Sequence, residues 1–280
     1  MLYSWRLLTE RDTRLMKQVV KPQLNKEIKE LTGQIAYPTI GLSMFAGLSY
    51  LATLLGFATG YISPALTVLM LAFLTFTAYT PMHEAVHGNI GGNRQLNWLD
   101  KVIGYLMAPI IAIPFTSHQK EHFAHHRDTN GKDDPDVHIK NLFGSPKDFV
   151  KATITVIKTQ NAYVWNTFTK AEIGVSLGWR ILFIYFTGWI SIPVLLLGWF
   201  GGAFLTIFLL SYIPHQPYKN TARWQNTNIR LLPIQWLENL MYKHNLHAVH
   251  HLYPRVPFYN YRKAFEKLEP SMRENGTPFV

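Results

Sequence analysis

The chain has no cysteine. That excludes disulfides, a thiolate zinc site and an iron–sulfur cluster built from its own residues. Charge is missing too, but only in places. Between Tyr37 and Tyr79, and again between Ile181 and Tyr212, there is no Lys, Arg, Asp, Glu or His. All 27 Lys and Arg lie outside these tracts, and the net charge is +10. A basic balance of that size fits nucleic acid or an anionic membrane surface. The segregation decides for the membrane and against nucleic acid, because a soluble domain rarely keeps long stretches free of charge.

A bilayer span takes roughly 20 apolar residues. The first tract holds two, at 37–57 and 62–80, parted by a bend at Gly56–Gly60. The second is tight for two, with Gly198, Gly201 and Gly202 as the expected turn. Seven Lys and Arg precede the first tract, eleven lie between the tracts and nine follow the second. Two hairpins put all three groups on one side, whereas an odd span would break the positive-inside rule. The expectation is an all-α integral membrane protein with four transmembrane helices in two hairpins, 37–80 and 180–213. Residues 81–179 and 214–280 then form a helical cap on the cytoplasmic face of a bacterial inner membrane or its equivalent, and 1–280 is a single domain. Within the cap, 102–115 is apolar but too short to span and contains Pro109 and Pro114, so it reads as a re-entrant segment. Residues 1–36 are charged throughout. They read as an interfacial amphipathic helix (Trp5, Leu8, Leu15, Val19) rather than a secretory signal.

None of the 12 histidines lies in either tract. His83-Glu-Ala-Val-His87 spells H-E-x-x-H, the zinc-protease signature. His122-Phe-Ala-His125-His126 and His247-Ala-Val-His250-His251 both spell H-x-x-H-H, and His215 follows the second tract. Residues i, i+3 and i+4 share a helix face, so each cluster presents imidazoles side by side. The two-hairpin topology brings all clusters to one end of the bundle. Neutral imidazole suits Zn, Fe, Cu or Ni. Nine rings are too many for one ion and match two. The protease reading uses Glu84 as general base but leaves both H-x-x-H-H clusters idle. A metal transporter would need ionisable residues inside the spans, and the tracts hold none. Glu84 is then a candidate to orient a ligand imidazole. His118, His138 and His244 read as ordinary polar residues.

In this order, split by paired spans, the three motifs resemble the membrane fatty acid desaturase superfamily, over about Tyr37 to Phe265. The resemblance implies iron ligands at His83, His87, His122, His125, His126, His247, His250 and His251, with His215 as the extra ligand after the last span. It implies two iron ions, O2 as co-substrate and two electrons from outside, from a ferredoxin or a cytochrome b5-like protein. With imidazole as the metal ligand, the carboxylates Glu84, Asp128, Asp134 and Asp136 would support the ligands rather than bind metal. The implied reaction is oxidation of an unactivated C–H bond on a long apolar lipid that enters from the bilayer. Tyr212-Ile-Pro-His-Gln-Pro, His125-His-Arg-Asp-Thr-Asn and His251-Leu-Tyr-Pro-Arg-Val-Pro are similar to the carotenoid hydroxylase and ketolase branch. Hydroxylation or ketolation of a carotenoid is therefore the expectation, with fatty-acyl desaturation or hydroxylation as the alternative. Two positions depart from the patterns. Ser211 stands where acyl desaturases have Asn, and Phe258-Tyr259 stands where the ketolases have a Trp pair.

Overall fold

The computed structural model describes residues 22–93, 95–151, 154–155 and 170–280, and every element it names is a helix. Helix α1 (Pro22–Lys29) leads into a hairpin of α2 (Tyr37–Ala58) and α3 (Pro64–Val86). The turn between them holds Gly60 at φ +77°, a conformation only glycine adopts without strain. Ser63 caps α3 by accepting the Leu66 N–H at 3.4 Å, and Pro64 fills the first position, where a missing N–H costs nothing. Helix α3 is free of charge up to His83; its first turns leave Leu66 and Leu69 exposed. Every residue from Leu74 to His87 is buried.

Helices α4 (Asn97–Ile111) and α5 (Phe115–Arg127) meet at 96°. Ala112 turns the chain at φ 61° and Pro114 ends the turn. The segment expected to be re-entrant is thus the later part of α4 plus this bend. A break between two helices leaves backbone groups without intrahelical partners. Here α6 (Lys170–Thr187) and α7 (Ser191–Thr206) satisfy them. Glu172 accepts the Phe115 N–H at 2.6 Å and the Thr116 N–H at 3.4 Å. Arg180 donates to the Ile110 carbonyl at 3.2 Å, and the Trp199 indole donates to the Ile111 carbonyl at 2.6 Å.

Helix α7 runs on through a π-helical turn, Ile207–Tyr212, to Ile213–His215. Three helices are long and apolar enough to cross a membrane, Tyr37–Ala58, Pro64–Val86 and Ser191–His215, with a fourth if the bent pair is one span. Helix α6 fails that test of composition because it carries Lys170, Glu172 and Arg180. The expected turn at Gly198, Gly201 and Gly202 is wrong. The chain turns at Gly188 (φ +84°), so the helix pair begins at Lys170 rather than 180. The three glycines lie inside α7, where they let it approach α3. A Cβ on Gly198 would meet Leu71 Cβ at 2.7 Å, and one on Gly202 would meet Thr75 Cβ at 2.5 Å. Small residues serve as helix contacts in membranes, and that reading wins here. Gly202→Val is expected to cost about 1–3 kcal/mol by overpacking, read as a lower melting temperature in detergent. Gly41→Ala, with nothing within 4 Å, should leave it unchanged.

The remaining helices are α8 (Gln235–Leu240), α9 (His247–Leu252) and α10 (Tyr261–Glu274). A second apolar core joins Ile28 of α1 to Val249, Leu252, Tyr261, Phe265 and Leu268. The described part of 1–36 therefore packs its apolar side on α10. Trp5, Leu8, Leu15 and Val19 lie outside the described residues. The first core fills the space between α2, α3, α4 and α7. The histidines occupy the seam between these two cores.

Candidate metal centre

Three helices end just after their histidines, and each end is held by a side chain. Helix α3 stops at His87, followed by Gly88 at φ +66°. Arg255 donates to the carbonyls of His87 and Gly88 at 2.5 and 2.7 Å. In α5 the Thr129 hydroxyl donates to the His125 carbonyl at 2.9 Å. In α9 Arg223 donates to the Leu252 carbonyl at 2.6 Å. Cationic groups at helix C-termini also meet the negative end of the helix dipole.

The histidines gather in two groups. One nitrogen each from His83, His87, His122, His126 and His250 lie within 4.8 Å of one another, and so do those of His125, His215 and His251. His247 joins the second group, with its Nε2 at 3.2 Å from His215 Nε2 and 3.1 Å from His251 Nε2. A stacked pair, His126 and His251, with centroids 4.3 Å apart, links the groups.

The close contacts decide what this arrangement can hold. His122 Nε2 lies 2.8 Å from His83 Nε2, 3.0 Å from His87 Nε2 and 2.9 Å from His126 Nε2. One ring nitrogen carries one N–H or one lone pair, so at most one of these three contacts is a hydrogen bond. The others set lone pair against lone pair in a buried place. A shared cation removes that conflict. Ligands about 2.1 Å from one ion, at right angles, lie about 3 Å apart, which is the spacing found. Burial pushes His87 down to about 3, and burial with neighbouring imidazoles puts His247, His250 and His251 well below the usual range. These four rings favour the neutral form that metal ligation needs, whereas Asp134 and Asp136 raise His125 against the effect of burial. The donor set fits two transition-metal ions, though imidazole alone does not choose between iron and zinc.

Sequence comparison narrows this. The family model described as Fatty acid desaturase matches residues 59–280. The chain belongs to the fatty acid desaturase family. It is 24% identical to an sn-1 oleoyl-lipid 12-desaturase of a Picosynechococcus species, over 95% of this chain and 86% of that protein. It is 25% identical to a chloroplastic omega-6 fatty acid desaturase of Glycine max, over 91% and 67%. It is also 22% identical to a chloroplastic sn-2 acyl-lipid omega-3 desaturase (ferredoxin) of Helianthus annuus, over 67% and 51%. These names give the carotenoid expectation no support and agree with the acyl alternative. This desaturase-family chain is an oxidoreductase with a histidine cluster suited to di-iron oxidation of a lipid.

The carboxylates divide. Asp134, buried, accepts the His125 Nδ1–H at 2.9 Å, which leaves His125 Nε2 free to ligate. Asp136 is 3.8 Å from the same nitrogen. Asp128 accepts the Asp133 N–H at 2.6 Å and shapes its own loop. Glu84 accepts from Asn89 Nδ2 at 3.3 Å and from the Phe258 N–H at 3.2 Å, tying α3 to the loop before α10. The bonds that Glu84 and Asp128 make here go to loop groups rather than to imidazoles. With both its oxygens bound to protein, Glu84 is also poorly placed as a protease base. Two further orienting groups had no sequence signal. Tyr261 Oη is 3.0 Å from His250 Nδ1, and Thr129 Oγ1 is 3.3 Å from His251 Nδ1. Thr129, whose own hydrogen goes to the His125 carbonyl, accepts the His251 Nδ1–H, and the Tyr261 hydroxyl engages His250 at Nδ1, so both rings leave Nε2 turned to the centre. His118 lies 3.8 Å from Glu121 and His244 meets Thr80 Oγ1 at 3.2 Å. Neither joins a group, nor does His138.

A narrow cavity opens between the groups, lined by Tyr79, His83, His122, His215, Leu210 and Ser211. It has room for about one water molecule. Ser211 faces it in the position where Asn was the family pattern, and the Ser211 carbonyl accepts the Tyr218 hydroxyl at 3.1 Å.

Proposed function

We propose that this chain is an O2-dependent acyl-lipid desaturase that holds two irons through nine histidines. His83, His87, His122, His126 and His250 form one site, and His125, His215, His247 and His251 the other. The observation that carries this reading is the meeting of three imidazole nitrogens around His122 Nε2 within 3.0 Å. Two irons held there supply O2 activation and removal of hydrogen from an unactivated C–H bond. The protein's part is orientation and exclusion of water. Asp134 and Thr129 fix which nitrogen of His125 and His251 carries the proton, and Tyr261 holds the His250 ring by its Nδ1. Leu210 and Tyr79 supply apolar surface to the cavity wall beside the histidines. The substrate is a fatty-acyl chain of a membrane lipid, entering from the bilayer. The cap and active site face the cytoplasm, the side favoured by the 27 Lys and Arg. Residues 1–280 act as one domain. A ferredoxin or cytochrome b5-like protein supplies the electrons.

The test is expression in a host supplied with both saturated acyl lipids and carotenoids, followed by metal analysis and product identification. About two irons per chain and a new acyl double bond are expected. An oxygenated carotenoid with unaltered acyl chains would return the assignment to the hydroxylase branch. One zinc and no iron would reject di-iron chemistry.

A further inference from the structure

Eight of the nine histidines are buried, and His126 alone keeps partial exposure. Its ring stacks on His251 of the second group and meets His87 and His250 of the first, at centroid distances of 4.3, 5.0 and 4.6 Å. The surface over His126 is therefore where least protein separates solvent from both groups.

That surface is basic. Arg127 follows His126 and is exposed. Arg255, exposed, is anchored on the His87 and Gly88 carbonyls, and Arg223, exposed, on the Leu252 carbonyl beside His251. Asn130 Nδ2 donates to the carbonyls of Asn220 and Asn226 at 3.0 and 2.7 Å, joining two loops that carry exposed Lys132 and Lys219. The acidic residues of this loop with exposure are Asp133, Asp128 and Asp136; the Asp128 carboxylate is turned to its own loop backbone and Asp136 lies 3.8 Å from His125 Nδ1. Phe123, 47% exposed, lies against His87 with centroids 5.8 Å apart. An exposed aromatic ring beside a group of arginines is the composition of a protein interface.

We propose that the face around His126, formed by Arg127, Arg223 and Arg255 and extended by Lys132 and Lys219, docks an acidic one-electron carrier protein. The proposal rests on the desaturase reading, in which each turnover takes two electrons from outside. A carrier that gives one electron at a time must dock and leave twice. A charged, rim-rich surface suits such brief, steered encounters, which weaken as salt rises.

The experiment uses the full chain in nanodiscs and a plant-type ferredoxin as probe, with cytochrome b5 as the second carrier. Arg127, Lys132 and Lys219 are changed together to Glu, because none of their side chains makes the contacts described for the metal centre. Carrier affinity is expected to fall by about tenfold or more at low salt, with a weaker dependence on salt. Iron content, helicity and product formation driven by dithionite should be those of the unaltered chain. Equal carrier affinity in the triple variant overturns the proposal, and so does failure of the unaltered chain to bind either carrier. A triple variant that binds carriers normally, yet loses extra thermal stability in phosphatidylglycerol over phosphatidylcholine nanodiscs, assigns the patch to lipid and overturns it too. Failure of the desaturase reading shows separately, as absent iron and no dithionite-driven product.

Discussion

His122→Ala is expected to empty the first metal site and lower desaturation by at least about 100-fold, with the helical bundle intact. His122 Nε2 lies within 3.0 Å of three other ring nitrogens. Its loss removes one ligand and also the member that spaces His83, His87 and His126. The fold should survive, because the contacts of His122 are to other imidazoles rather than to either apolar core. His118→Ala, one turn earlier on the same helix and outside both groups, is the control. Iron per chain and circular dichroism check the pair. Two irons and full product from His122→Ala would sink the ligand assignment.

Asp134→Asn should weaken the second site by roughly 10- to 100-fold in metal affinity. The Asp134 carboxylate accepts from His125 Nδ1 at 2.9 Å, from the Asp136 N–H at 2.8 Å and from the Asn130 N–H at 2.7 Å. An amide of the same shape can keep one backbone bond but offers an N–H where an acceptor is needed. His125 then favours the other tautomer, with its proton on the nitrogen that should ligate. Asp136→Asn, 3.8 Å away, should have the smaller effect. Cobalt substituted for iron gives a visible spectrum that reports ligand number directly. An unchanged spectrum and affinity in Asp134→Asn would show that His125 is held by something else.

What the sequence disclosed follows from which interactions are local. Helical spacing of three and four made the histidine clusters legible, since their members lie within one turn. Uncharged tracts disclosed the apolar helices for the same reason. Tyr261 was silent because it reaches His250 from another helix, eleven residues on. Asp134 could not be told from Asp128 along the chain, as only the fold aims one at an imidazole and the other at its own loop. Gly198 and Gly202 were misread because a glycine that makes a turn and one that admits a neighbouring helix look alike in one dimension. Lys170, Glu172 and Arg180 hid the start of α6, since charge was taken to mark the end of the apolar region.

Glu172 and Arg180 also impose an order on biosynthesis. The ribosome makes the bend at Ala112–Pro114 before it makes the residues that cap it. Until α6 emerges, the N–H groups of Phe115 and Thr116 and the carbonyl of Ile110 have only water to bind. The nascent bend is therefore left uncapped until its partner arrives. Helix α6, in turn, finds for Glu172 and Arg180 a ready set of backbone partners when it is made. The late-made helix completes the early-made one.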